Sequence, residues 1–475
     1  MSRRYLVLFL LLSVFSSFAQ QILVPPYLQP GNAPTLSKEE KVIVWQTDSV
    51  QGSFTVEYAH GSSLEGVEKH SSTRVSSQVL EFPGRKTHIH RAHLSGLDFD
   101  TQYTYRVSTG SRIITTATFT TRTKHPVVRF VAMGDVGTAS PQQRAVAYQI
   151  HKVKPQFVLV TGDLAYNNGL EREYRVRFFP PYLTPVASLE RGAPLMQSIP
   201  FYLFAGNHDF YGADLGKYPD GLAIFYYSDS PLNGPNTQFE TEVSGPPDRV
   251  KAFKKATDGR FPKMNNYSFE DGNVHITVVD ANSYINPLDP ALVDWMKHDI
   301  GSSKADWKMI TYHHPGFNSS KAHYDYQQMR LLSPLLEELA VDLVITSHVH
   351  NYQRTKPLKF APKMNKARDK YIVSEEGRVD GKFTLDEKFD GVTHTDADGI
   401  IYVVSGCGGA QLYDPAMSNK PETWKHEPAE NWVPYTVKLI SDKHSFTLVE
   451  TNGKQLVLKQ IDLNGELLDE IKITK

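Results

Sequence analysis

The chain is nearly free of cysteine, with Cys407 the single one in 475 residues. That excludes any intramolecular disulfide and any thiolate-rich metal site. Cys407 sits in Ser405-Gly406-Cys407-Gly408-Gly409 with no histidine or other base beside it, so it reads as a small buried residue rather than a nucleophile. Net charge is also almost absent, at -1. Such a balance gives no basic face for nucleic acid, and no nucleic-acid partner is expected. Long apolar runs are missing except at the start. There Arg3 and Arg4 precede the run Tyr5 to Phe15, and Ser17, Phe18 and Ala19 supply a small-x-small site. The run is well short of the ~20 residues that span a bilayer, so residues 1–20 read as a signal peptide cleaved near Ala19. The expectation is a secreted or periplasmic protein with no membrane span after cleavage. Without a cysteine close behind the signal, a bacterial lipoprotein anchor is excluded.

What is present is an ordinary globular composition, 40% hydrophobic and 22% charged, in a chain longer than one core usually supports. Two domains are expected, and the residue patterns divide accordingly. From 22 to 123 the chain alternates at period two between turns, most clearly at Val42–Trp45, Phe54–Tyr58, Tyr103–Val107 and Thr116–Thr121. This predicts a β-sandwich. Leu94-Ser95-Gly96-Leu97, with Thr101 and Tyr103 following, is similar to the strand-E to strand-F corner of fibronectin type III domains. No cluster of reactive residue types falls here, so the domain reads as a scaffold.

From 127 to 475 apolar bursts replace alternation: Val127–Met133, Phe157–Val160, Phe201–Ala205, Val274–Val279, Trp307–Tyr312 and Val341–Ile345. Dense Val, Ile and Phe mark strands buried on both faces. Pro141–Lys154 and Tyr326–Leu339 read as helices between them, which makes this part an α/β sandwich of mixed sheets. Ile400–Ser405 and the alternating Phe446–Lys475, with the hairpin signal Asn464-Gly465, would complete the sheets. Tyr211–Lys263 reads as a long polar insertion of the kind that overlies a site. Its Lys251, Lys254, Lys255, Arg260 and Lys263 are either a solvated face or a means of steering anions.

The chemistry gathers at the strand ends. Asp135 follows the first burst, Asp163 the second, Asn207 and His208 the third, His313 and His314 the fifth, and His348 and His350 the sixth. In open α/β sheets sites form outside the carboxyl ends of strands, so residues far apart in sequence would converge. Hard oxygen and imidazole donors in such number exceed what one tetrahedral zinc needs and suit two ions bridged by a carboxylate.

The series Gly134-Asp135-x-Gly137, Gly162-Asp163-x-x-Tyr166, Gly206-Asn207-His208-Asp209, His313-x-Pro315 and His348-x-His350 resembles the calcineurin-like metallophosphoesterases. The tyrosine in the second motif narrows the resemblance to purple acid phosphatases, which also carry a fibronectin-like domain before the catalytic one. The resemblance implies a four-layer α/β/β/α catalytic domain. It further implies an iron(III) site from Asp135, Tyr166 and His350, and a divalent site (iron, zinc or manganese) from Asn207, His313 and His348, with Asp163 bridging both. His313 rather than His314 matches the family position two residues before the proline. Ser347 stands where the family commonly has glycine. The implied activity is hydrolysis of phosphate monoesters by a metal-bound hydroxide, with His208 and His323, ten residues beyond His313, assisting phosphate binding and leaving-group protonation. Two other readings stay open: a phosphodiesterase or nucleotidase on the same metal core, decided by the loops Tyr211–Lys263 and Lys366–His394, and a non-catalytic adhesion or metal-binding protein. Tyr352 and Arg354 follow the last motif and read as structural.

Overall fold

A computed structural model of the chain describes residues 20–50, 52–65, 71–235, 243–365, 367, 370–424 and 434–475. The expected signal segment lies outside the described residues. Among those described, no helix is long and apolar enough to cross a membrane.

The N-terminal part is a sandwich of two four-stranded antiparallel sheets. One holds Ile22–Gln29, Glu40–Thr47, Arg85–Ser95 and Val75–Phe82, and the other Ser71–Thr73, Thr55–His60, Gln102–Thr109 and Arg112–Thr120. Trp45, Val56, Leu94, Tyr105 and Phe119 fill the space between them. The corner expected at Leu94–Tyr103 is closed by the Tyr103 hydroxyl, which accepts the Asp98 backbone N–H at 3.0 Å.

The remaining strands form a six-stranded and a seven-stranded mixed sheet packed face to face. Alternation within single bursts explains why both of their faces had to be apolar. Val131, Met133, Val158 and Val160 point into a core shared with helix Pro141–Val153, whereas Phe130, Ala132, Phe157 and Leu159 point between the sheets. On the seven-stranded sheet, Met309 and Ile345 face inward and Ile310 and Val344 face helices Pro290–Ser302 and Ser333–Glu338. The layers are therefore helix, sheet, sheet, helix. Strands Val127–Met133, Phe157–Val160 and Phe201–Leu203 run parallel, as do Val274–Val278, Trp307–Thr311 and Leu343–Thr346. Their carboxyl ends meet along one edge, and the site is built there.

Two expectations need correction. Tyr211–Lys263 is only partly a loop, and of its described residues Tyr211 alone lines the pocket at the site. Ile224–Tyr227 and Pro247–Thr257 are helical, and Phe225, Tyr226, Tyr227 and Phe253 are buried. Buried aromatics supply the core that Pro and Gly concealed in the pattern. The helix Pro247–Thr257 packs instead on the edge strand Val75–Phe82, where Gln78 Nε2 donates to Lys255 O at 2.9 Å. Only the first half of Tyr326–Leu339 departs from an α-helix, as the 3-10 turn Gln328–Leu332.

The sandwich packs on the second part through its first sheet. Val24, Tyr27, Val42 and Val44 join the apolar core around Tyr174 and Phe179. Tyr27 donates to Tyr227 O at 2.6 Å, and Arg91 Nε pairs with Asp229 Oδ2 at 2.6 Å.

Candidate metal centre

Three turns at strand ends hold the first donors. Asp135, Asp163 and His348 all have positive φ, at 58, 53 and 67°. Aspartate tolerates that region better than most residues, and the turn swings each side chain back across the sheet edge. Close backbone packing makes this possible. A β-carbon at Gly206 would fall 2.2 Å from Asp163 Oδ1 and 2.8 Å from His313 Nε2, and one at Gly162 would fall 2.4 Å from His313 Nδ1. The cradle is thus open only because glycine lines it.

The donors fall into two groups that share one residue. In the first, the Tyr166 hydroxyl lies 3.1 Å from Asp135 Oδ1, 3.2 Å from Asp163 Oδ2 and 3.1 Å from His350 Nε2. In the second, His313 Nε2 lies 3.3 Å from Asp163 Oδ1 and 3.1 Å from Asn207 Oδ1. Asp163, His313 and His348 each present a ligand atom within 4.8 Å of the others. The two oxygens of Asp163 therefore look in two directions, one into each group.

Supporting hydrogen bonds fix which imidazole nitrogen faces inward. His313 Nδ1 donates to Thr161 O at 2.8 Å, and His350 Nδ1 donates to Gln411 O at 2.7 Å. Both leave Nε2 free as a lone-pair donor toward the cluster, the usual arrangement behind a metal-bound histidine. Ser347, the departure from glycine, lies with its hydroxyl 2.9 Å from His313 Nδ1 and also bonds Thr161 O. His348 Nε2 is buried with no hydrogen-bond partner. A buried unpartnered nitrogen at the centre of a carboxylate, phenol and imidazole set is what a cation site requires and what a packed polar core avoids.

Burial and neighbouring charge shift the titrating groups of the site. Burial alone would lower His313, but the Asp163 carboxylate raises it to about 9. Burial pushes His348 well below the ordinary histidine range, and the neighbouring histidines add to it. Burial, with Asp135 and Asp163 beside it, holds the Tyr166 phenol well above its usual value. Asp209 is pushed up to about 7 by burial and by Asp163. It braces the turns, accepting from Gly206 N at 2.9 Å, Leu164 N at 3.2 Å and the Tyr174 hydroxyl at 2.7 Å.

A pocket of about 260 Å³ opens beside the donors. His208 and His323 both line it. His208 N donates to Asp163 Oδ1 at 2.9 Å, and Nδ1 is tied to Asn167 O at 2.8 Å. The His323 ring lies 4.2 Å from that of His348. His314 also lines the pocket but contributes nothing to the second group, and burial lowers it to about 3.

Several residues at the site carry no signal in the sequence. Tyr413 stacks on His350 with ring centroids 4.1 Å apart. Asp414 Oδ2 accepts from Ser320 Oγ at 2.5 Å, Lys321 N at 2.9 Å and Ala322 N at 3.0 Å, tying down the backbone that presents His323. Tyr211, Tyr326 and Gly377 line the pocket mouth; none of the insertion's cationic residues does. Tyr352 and Arg354 lie away from it, both bonded to Asp469. Cys407 is buried and its thiol pushed up to about 12 by that burial.

Comparison with known proteins agrees with this layout. The model of the calcineurin-like phosphoesterases matches residues 128–352, and that of the purple acid phosphatase N-terminal domain matches 27–123. Its second part is thus similar to the calcineurin-like phosphoesterases and its first part to the N-terminal domain of purple acid phosphatases. Among relatives, it is 27% identical to purple acid phosphatase 1 of Ipomoea batatas over 56% of this chain and 52% of that one. It is 24% identical to a phosphoenolpyruvate phosphatase of Allium cepa, over 66% of this chain and 60% of that one. These matches span a little over half the length of each relative. In fold, the chain is similar to a purple acid phosphatase from yellow lupin (Lupinus luteus) seeds, with a TM-score of 0.64 at 17% identity, covering 94% of this chain and 74% of that one.

Proposed function

We propose that this protein hydrolyses phosphate monoesters at a dinuclear metal centre, as an exported acid phosphatase. The observation that carries the reading is Asp163, whose Oδ2 belongs to the donor group of Asp135, Tyr166 and His350 and whose Oδ1 belongs to that of Asn207, His313 and His348. Asp135, Tyr166 and His350 would hold iron(III). Asn207, His313 and His348 would hold a divalent ion (iron, zinc or manganese). When bound, two such ions lower the pKa of water and neutralise charge on a phosphoryl group.

The chain's own residues supply the rest. The fixed Nδ1 bonds of His313 and His350 orient both rings before any ligand arrives, so little reorganisation is left for the reaction. His208, anchored through Nδ1, keeps Nε2 for a proton at the leaving oxygen. His323 stands across the pocket, its loop held by Asp414. Residues 22–123 serve as scaffold and 127–475 as the catalytic domain.

Two measurements test this. Protein purified with its metals should turn over an aryl phosphate monoester faster than the matching diester at acidic pH; diester preference would move the function to phosphodiesterase, and inactivity with two ions bound would remove the substrate class. His208→Ala should lower kcat by about 10²- to 10³-fold while metal content stays at the wild-type level. An unchanged rate removes His208 from the chemistry.

A further inference from the structure

Beyond the phosphoryl site, the mouth of the pocket has a chemistry of its own. Tyr211 is 54% exposed and Tyr326 51%, unusual for large aromatic side chains at a cleft. Each sits against a pocket histidine. The Tyr211 ring lies 4.8 Å from that of His208, and the Tyr326 ring 5.5 Å from His323 in a stacked arrangement at 24°. Tyr413 adds a third ring, 5.6 Å from His323. Ser283, Gln327 and Gln328, which line the same pocket, are polar and uncharged. Among the described residues, no lysine or arginine lines the pocket.

We infer that this rim is a leaving-group subsite selecting phosphate monoesters whose alcohol carries a flat, uncharged ring, and rejecting esters with further anionic groups. The inference rests on the monoester reading and names its substrate class. Exposed ring faces gain by stacking on a planar group, an effect on the order of five- to tenfold per favourable ring pair. A second phosphate or carboxylate on the substrate would leave its water without a lysine or arginine to meet it, since none lines the pocket. The same mouth accommodates a ring without asking for any charge pairing.

The test separates stacking from leaving-group reactivity by using benzyl phosphate and butyl phosphate, both esters of primary alcohols of similar acidity. Wild-type kcat/KM should favour benzyl by about five- to tenfold. Tyr326→Ala should bring the ratio close to unity, while Tyr326→Phe keeps it. A disturbance of His323 alone would slow both esters equally and leave the ratio intact. Tyr211→Phe, which loses only the hydroxyl that accepts from Asn207 Nδ2 at 2.9 Å, should also keep the ratio. Calorimetry with benzylphosphonate and butylphosphonate reads the subsite without turnover. Equal affinities, or a benzyl-to-butyl ratio unmoved by Tyr326→Ala, overturn the subsite. Absence of turnover together with tighter benzylphosphonate binding leaves the subsite standing and removes the phosphatase reading.

Discussion

Asp163→Asn is expected to lose metal from both groups of donors and to lower turnover by about three orders of magnitude or more. The Asp163 carboxylate looks in two directions. Oδ2 lies 3.2 Å from the Tyr166 hydroxyl and Oδ1 lies 3.3 Å from His313 Nε2. Asparagine keeps one acceptor oxygen and puts an amide where the other stood, so it can serve at most one group. It also removes the negative charge that both ions would share. A centre of this kind supplies several kcal/mol of charge stabilisation, and each ~1.4 kcal/mol is tenfold in rate. Asparagine is the informative replacement because φ at 163 is 53°. Alanine would add backbone strain there, whereas Asn adopts that region readily. Metal content by plasma emission, with the hydrolysis rate on the same preparation, checks the expectation. Two ions per chain and more than a tenth of the wild-type rate would dismiss the bridge.

That Asp163 could be picked from sequence at all has a physical reason. Strands buried on both faces write themselves as apolar bursts, and the bursts at Val127–Met133 and Phe157–Val160 coincide with the strands residue for residue. A polar donor immediately after such a burst has few roles other than turn or site. The convergence of parallel strand ends turned separate weak signals into one. The same logic fails elsewhere for identifiable reasons. Strand Arg85–Ser95 reads as polar because its His90 and Arg91 are buried against partners in other segments, Thr47 and Tyr226, rather than in an apolar face. The insertion reads as a loop in sequence because its core is short, four residues at Ile224–Tyr227 packed on Phe253. Tyr211, Tyr326, Tyr413 and Asp414 reach the site from loops, where no period announces which way a side chain points. Their roles depend on contacts made by folding alone.

Stability should depend most on a residue far from the chemistry. Glu39→Ala is expected to cost about 3–5 kcal/mol and to lower the thermal midpoint by roughly 3–5 °C. Glu39 lies at the join between the sandwich and the two mixed sheets and is 2% exposed. One of its oxygens pairs with Lys41 Nζ, itself 1% exposed, and the other with Arg122 Nε at 2.6 Å. Arg122 in turn donates to Glu270 O at 3.0 Å and Lys38 O at 2.8 Å, so one guanidinium links both parts of the chain. Deleting the carboxylate leaves two buried cations facing each other without a counter-charge, the costly way to break a buried pair. Lys41→Met should cost much less. It removes an ammonium whose pKa burial already lowers, and Glu39 keeps its bond to Arg122. Since neither residue touches the donors, folded Glu39→Ala protein should keep its metal content and kcat. Thermal unfolding of the two variants beside wild type decides the matter: a Glu39→Ala midpoint no lower than that of Lys41→Met would show that the carboxylate does not hold the two cations, and that apolar contacts around Tyr27 and Val44 carry the join instead.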